Sequence, residues 1–104
     1  MRQADIYLYD RLAGRLVEDE TGYTFRYDAG YLAASSVRLS VNFPLRSEKF
    51  HDRILFPFFD GLIPEGWLLD IAVDNWKLDP NDRMGLLLAC CRDCIGAASV
   101  REVK

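Results

Sequence analysis

The spacing of the apolar residues changes near the middle of the 104-residue chain, and this change constrains the fold more than any other feature. In the first half, apolar and polar residues alternate, as in Tyr23–Tyr27, which predicts half-buried strands. From Ile54 onward, apolar residues recur at every third or fourth position, which predicts helices. We therefore expect an α+β fold: a small, mostly antiparallel sheet with about three helices packed on one side.

The strand predictions combine alternation with the turn residues between the segments. We expect strands at Ile6–Tyr9, at Leu16–Val17 after a turn at Gly14, at Tyr23–Tyr27, at Val37–Phe43 and at Ala97–Val103. Residues 31–36 predict a loop or a single helical turn, and the polar residues 45–53 predict a loop. The first half should therefore supply most of the sheet.

The helix predictions rest on proline positions and apolar stripes. Phe58–Ile63 predicts a short helix or turn against the sheet, and Pro64 suits the first position of the next helix. That helix has a core-facing stripe of Leu69, Ala72, Val73 and Trp76. A last helix is expected to have Asp79 as its N-cap, Pro80 in its first turn and an apolar face of Met84, Leu87, Leu88 and Cys91.

Composition limits the class of protein. Half of the residues are hydrophobic and 28% are charged, which is ordinary for a globular chain, and we expect a single domain over residues 1–104. The net charge is −3, with seven basic and seven acidic residues in 1–50 and six and nine in 51–104, so direct nucleic-acid binding is not expected. The sequence shows no signal peptide and no apolar run of the ~20 residues that span a membrane. Together with three cysteines that make a poor disulfide framework, this favours the cytoplasm.

Trp67 is the strongest candidate for a binding residue. At 100° per residue it lies about 180° from the core-facing stripe of its predicted helix, beside Asp70, Ile71 and Asp74. A tryptophan and an isoleucine among acids, on an outward face, are typical of the anchor of a protein interface. The alternative is that Trp67, in the first turn, packs under the preceding loop. Trp76 is expected in the core.

Metal and catalytic sites are poorly supported. Cys90, Cys91, Cys94 and His51 lack zinc-ligand spacing, since adjacent helical cysteines point about 100° apart. We expect no metal, no cofactor and no catalytic residues, because the chain has one histidine and no phosphate-binding glycine motif.

Several motifs in this order resemble the N-terminal subdomain of HipA-like serine/threonine kinase toxins. They are Leu39-Ser40 with Pro44-Leu45, Phe58-Phe59-Asp60-Gly61-Leu62-Ile63-Pro64-Glu65-Gly66, Leu86-Leu87 and Arg92-Asp93-Cys94-Ile95-Gly96-Ala97. In those kinases the subdomain precedes the kinase body. A free-standing version is similar to the HipS-like antitoxins of tripartite HipBST systems.

The resemblance implies an antitoxin, not an enzyme, that inhibits a HipT-like kinase toxin by docking, together with a HipB-like DNA-binding protein in a ternary complex. Trp67 would be the anchor near the kinase active site, and the implied partner-binding residues are Trp67, Ile71, Asp70, Asp74, Glu65 and Gly66. Two alternatives stay open: the N-terminal regulatory domain of a fused HipA-like kinase, and a small enzyme or metal protein. No membrane partner is expected.

Overall fold

The computed structural model describes residues 2–35, 37–40, 43–63, 74, 77, 79, 81–90 and 98–103. Its elements, in chain order, are β1 (Arg2–Leu8), β2 (Arg11–Asp19), β3 (Gly22–Tyr27), α1 (Ala29–Ala34), β4 (Phe50–Asp52), α2 (Pro57–Asp60), α3 (Arg83–Cys90) and β5 (Ala98–Val103). The strands form one sheet in the order β4-β3-β2-β1-β5, and every neighbouring pair is antiparallel. The predicted α+β fold is confirmed.

One face of the sheet, called the inner face below, forms the hydrophobic core. Ile6, Leu16 and Phe25 on the three central strands are fully buried. Helices α1, α2 and α3 add buried side chains to the same core, for example Tyr31 from α1, Phe59 from α2 and Met84, Leu86 and Leu87 from α3. The helices therefore pack against the inner face, as the sequence predicts.

The first turn lies earlier than predicted. β1 and β2 are joined by Tyr9 and Asp10, whose φ angles of 50° and 63° are both positive, as a two-residue hairpin turn of the favoured hand requires. Gly14, the predicted turn residue, lies inside β2. A Cβ on Gly14 would lie 2.3 Å from the carbonyl oxygen of Arg26 and 2.8 Å from the Phe25 ring. Glycine is needed there for close approach within the sheet, and the turn prediction is wrong.

The strand predicted at Val37–Phe43 is also wrong for its described residues, 37–40 and 43, which form no strand. Two buried tyrosines from the sheet and α1 bind this segment instead. The Tyr27 hydroxyl donates to the Phe43 carbonyl and accepts from the Leu39 N–H at 3.0 Å, and the Tyr31 hydroxyl donates to the Val37 carbonyl. Leu39 and Phe43 therefore enter the core on an irregular backbone, and tyrosine hydroxyls bind three of its polar groups.

Two further boundaries differ from the sequence predictions. The polar segment 45–53 contains β4, which pairs Phe50 with Phe25 and buries only that one residue of the strand. Helix α3 begins at Arg83, because Asp82 rather than Asp79 caps it: the Asp82 carboxylate accepts from the Gly85 N–H at 3.1 Å. Asp79 accepts from Asn81 N–H at 2.9 Å, and Pro80 and Cys91 lie outside the described residues.

Candidate functional site

The predicted docking helix lies mostly outside the described residues. Five of its predicted partner-binding residues are among those not described, namely Glu65, Gly66, Trp67, Asp70 and Ile71, and so is the predicted core residue Trp76. Asp74 is described, and it is a helical residue with an exposed side chain. The anchor role of Trp67 therefore remains a prediction.

The structure does fix the two points between which this segment runs. Ile63, just after α2, is buried, and Asp60 at the end of α2 accepts a hydrogen bond from Arg83 at the start of α3, with 2.6 Å between Nε and Oδ1. The end of α2 and the start of α3 therefore lie together at one corner of the fold.

A second set of charged residues ties the start of α3 to the sheet. Arg2, the first residue of β1, donates to both carboxylate oxygens of Glu18 on β2, at 2.7 and 3.0 Å. Its other hydrogen bonds, at 2.9 and 2.8 Å, go to both oxygens of Asp82. The hydroxyl of Tyr23 on β3 donates to Glu18 at 3.2 Å. The Arg2 guanidinium thus connects β1 to Asp82, the N-cap residue of α3. Through Glu18 it also connects β2 and β3 to that residue.

The environment of this cluster shifts three pKa values, and the hydrogen bonds to Asp82 and Glu18 raise the pKa of Arg2. Hydrogen bonding from Arg2 holds the pKa of Asp82 below its ordinary value, and the N–H of Gly85 acts in the same direction. Burial raises the pKa of Tyr23, and the charge of Glu18 adds to that effect. The shifts at Asp82 and Tyr23 favour the ionised carboxylate and the neutral hydroxyl that the hydrogen bonds require.

Neither set of contacts could be predicted from a pattern in the sequence. Arg2 and Asp82 are 80 positions apart, and Arg83 and Asp60 are 23 apart. No local spacing pattern brings such residues together, so these contacts could be found only from the tertiary structure.

The cysteine and histidine positions do not form a metal site within the part of the chain that the structure describes. Cys90, at the end of α3, is half-buried and packs against the core, whereas His51 is exposed on β4 with its Nε2 3.2 Å from the Thr21 hydroxyl. Cys91 and Cys94 fall outside the described residues. Among the helices that are described, none has the length and apolar character needed to cross a membrane.

The similarities to known proteins point to one domain family. The sequence matches the HipA N-terminal domain family over residues 4–101. It is 34% identical over 104 residues to an uncharacterized protein of Haemophilus influenzae, an alignment that covers 100% of this chain and 95% of that protein. A solved structure, the N-terminal domain of HipA toxin, is similar with a TM-score of 0.76 and 30% identity, covering 100% of this chain and 94% of that one.

Proposed function

Because the chain belongs to the HipA N-terminal domain family, we propose that it is an antitoxin that binds and inhibits a HipT-like serine/threonine kinase toxin. The family match confirms the resemblance drawn from the sequence and relates the chain to toxin–antitoxin proteins. In the proposal, the chain acts by protein–protein docking in the cytoplasm and has no catalytic role of its own.

One observation carries the proposal. The family match covers the N-terminal domain of HipA and nearly the whole of this chain, while the relative from Haemophilus influenzae is aligned over 95% of its length. That relative therefore consists almost entirely of this domain. A domain that occurs without a kinase body attached can act on a kinase only by binding it as a separate chain, which is what an antitoxin of this kind does.

The proposed contact surface is the predicted helix that follows Pro64. Trp67 would fill a pocket near the kinase active site, Ile71 would extend the apolar contact, and Asp70 and Asp74 would face a basic nucleotide cleft. The exposure of Asp74 and the fixed ends of the segment at Asp60 and Arg83 support this arrangement. Glu65 and Gly66 would lie at the start of the same surface.

The wider assembly is proposed on the same family basis. A HipB-like protein would supply the DNA contacts of a ternary complex, because the chain as a whole has a net charge of −3. Promoter binding should then depend on that third component. A mobility shift produced by this protein alone, and reduced by salt, would contradict this part of the proposal.

The test compares binding and inhibition for three versions of the protein. A HipT-like kinase is co-expressed with wild type, with Trp67→Ala and with the control Tyr9→Ala, which removes an exposed aromatic from the hairpin turn. Trp67→Ala should fold normally and weaken kinase binding by about 2–4 kcal/mol, or roughly 30- to 1000-fold, because central aromatic anchors contribute that much. Tyr9→Ala should bind and inhibit as wild type does.

Thermal unfolding of the purified variants tests the prediction that Trp67 is exposed and Trp76 is buried. Trp76→Ala, a core truncation by prediction, should cost about 3–5 kcal/mol of folding stability. If Trp67→Ala unfolds early and Trp76→Ala does not, the assignment of the two helix faces is inverted. If Trp67→Ala folds and still neutralises the kinase, the anchor proposal fails.

A second candidate is the regulatory N-terminal domain of a fused HipA-like kinase. The similarity to the N-terminal domain of HipA toxin favours it, since that domain comes from the toxin. Mass spectrometry of the protein made from the native gene decides between the two: a product of about 12 kDa supports the antitoxin, and a kinase-sized product supports the fused form.

A further inference from the structure

The charged cluster at the start of α3 also holds the turn that precedes this helix. The cluster, called the clasp below, consists of Arg2, Glu18 and Asp82, and the Arg2 guanidinium donates to both carboxylates. The Asp82 N–H donates to the Asp79 carbonyl at 3.1 Å, and the Asp79 carboxylate accepts from the Asn81 N–H at 2.9 Å. The clasp therefore fastens to the sheet a turn that extends back from α3 to Asp79.

This turn follows closely on the proposed kinase-binding helix. Asp74, one of the proposed contact residues, is helical and exposed. Lys77, the next described residue, has a φ of 54°, and a right-handed helix does not continue through a residue with this backbone angle. The helix that contains Asp74 therefore ends before Lys77. From there the chain enters the turn at Asp79 that the clasp holds.

Gly85 provides the space that the clasp occupies. It lies near the start of α3, although glycine is disfavoured in a helix relative to alanine. A Cβ at this position would lie 2.4 Å from Oδ2 of Asp82 and 3.3 Å from Nη1 of Arg2. A larger residue would therefore displace the Asp82 carboxylate from its place beside Arg2. The clasp thus accounts for a glycine that the helix itself does not favour.

We propose that Arg2 is a positioning residue for partner binding: through Asp82 and the turn at Asp79, it holds the end of the kinase-binding helix in the orientation that the kinase recognises. The inference rests on the proposed function. Arg2 acts through Asp82 and makes no contact with the kinase itself. A surface whose orientation is fixed before binding loses less conformational entropy when the partner binds. Loss of the clasp therefore lowers the affinity for the kinase while the protein stays folded.

The experiment measures the affinity of purified variants for a HipT-like kinase, at a temperature where circular dichroism shows each variant to be folded. Arg2→Gln should bind about two- to fivefold more weakly than wild type, the range by which partly exposed ion pairs shift an equilibrium. Asp82→Asn should have a similar effect, although asparagine caps a helix as well as aspartate does. The double variant should be no weaker than either single variant, because each substitution removes the same contact.

Arg15→Gln is the matched control. The ion pair of Arg15 with Asp5, at 3.1 Å, is also partly exposed, but it joins β1 to β2 and includes no residue of the turn or of α3. Arg15→Gln should bind the kinase as wild type does. A merely structural role for Arg2 would lower the melting temperature of Arg2→Gln and leave the affinity of the folded protein unchanged.

Tryptophan fluorescence tests the same proposal without the kinase. The two tryptophans of the chain, Trp67 and Trp76, both precede the turn at Asp79. Arg2→Gln should shift their emission to longer wavelength, because loss of the clasp allows local opening that admits water to the indole rings. Arg15→Gln should leave the emission spectrum unchanged.

Three results would overturn the proposal. They are equal kinase affinity of wild type and Arg2→Gln, a further loss of affinity when Arg2→Gln is added to Asp82→Asn, and an emission spectrum of Arg2→Gln identical to that of wild type. If wild type itself does not bind the kinase, the proposed antitoxin function fails. The fluorescence measurement then still decides whether Arg2 holds the segment that contains the tryptophans.

Discussion

The inner face of the sheet and the opposite face, called the outer face, are made from the same strands. The inner face is apolar and buried, whereas the outer face carries charged residues. Each of β1, β2 and β3 has a fully buried residue on the inner face next to a charged residue on the outer face: Ile6 next to Asp5, Leu16 next to Arg15, and Phe25 next to Arg26. Successive side chains on a strand point to opposite faces. The comparison shows that one stretch of backbone can provide stability through one set of residues and a charged surface through the other.

The inner face derives its stability from an aromatic cluster that draws on distant parts of the chain. The Phe25 ring lies 5.0 Å from Phe43, 5.6 Å from Phe59 and 6.3 Å from Phe50, measured between centroids. These residues come from an irregular segment, from α2 and from β4. Phe25 therefore joins the sheet to everything packed on it, and the outer face has no comparable centre among the described residues.

The largest expected effect comes from removing that centre. Phe25→Ala should cost about 3–5 kcal/mol in the free energy of unfolding, because it leaves a cavity among rings that cannot collapse fully. Thr24→Ala, one residue away on the outer face, should change it by less than about 0.5 kcal/mol. Urea unfolding of both variants is the measurement. Similar losses at the two positions would show that the faces do not differ as described.

A smaller effect is expected at Arg2, where charged groups border the inner face. Arg2→Ala should lower the free energy of unfolding by about 1 kcal/mol near pH 7. The loss is small because the side chains of Arg2, Glu18 and Asp82 are about one-third exposed, so solvent screens their ion pairs. Arg11→Ala, at an exposed arginine without an ion pair among the described residues, is the control.

The contribution of Arg2 should depend on pH in a definite direction. The folded-state pKa of Asp82 is held below its ordinary value of 3.8 chiefly by the Arg2 hydrogen bond. The stabilisation is therefore fully present above that ordinary value and is lost as the pH falls through the lower folded-state value. The difference in unfolding free energy between wild type and Arg2→Ala should narrow below about pH 4. A constant difference down to pH 2 would exclude this linkage.

The smallest effect, with the opposite sign, is expected on the outer face. Arg26→Gln should raise the free energy of unfolding by about 0.2–1 kcal/mol, because it relieves the repulsion with Arg15 across β2 and β3. Arg53→Gln, the control at an exposed arginine just after β4, should leave the free energy of unfolding unchanged. If Arg26→Gln lowers the free energy of unfolding, Arg26 supports the fold. Residues of both faces would then stabilise the protein, by different amounts.

The proposed kinase-binding surface could be predicted only in part. The outward position predicted for Trp67 rests on helical spacing alone, and of its predicted neighbours only Asp74 is described, as an exposed helical residue. The corner that fixes the ends of this segment, Asp60 with Arg83, had no signal in the sequence. Side chains 23 positions apart meet because α2 and α3 pack together, which no local pattern encodes.

By itself, the sequence determined the features that depend on neighbouring residues. Alternation in Tyr23–Tyr27 identified β3 and its buried side, and the segments near Ile6 and Ala97 identified β1 and β5. The change of period at Ile54 correctly placed α2 and α3 in the second half of the chain. These properties are local because the direction of a side chain follows from the backbone repeat of its own segment.

Only the tertiary structure decided which distant residues meet. It placed β5 beside β1, which puts Arg101 opposite Asp5, and it made a strand of three residues at Phe50 within a polar segment. It also placed Gly14 under the Phe25 ring rather than in a turn, and it held Leu39 and Phe43 in the core by tyrosine hydroxyls instead of strand pairing. The physical reason is that pairing and packing depend on residues far apart in the chain, so their partners become defined only when the whole core has formed.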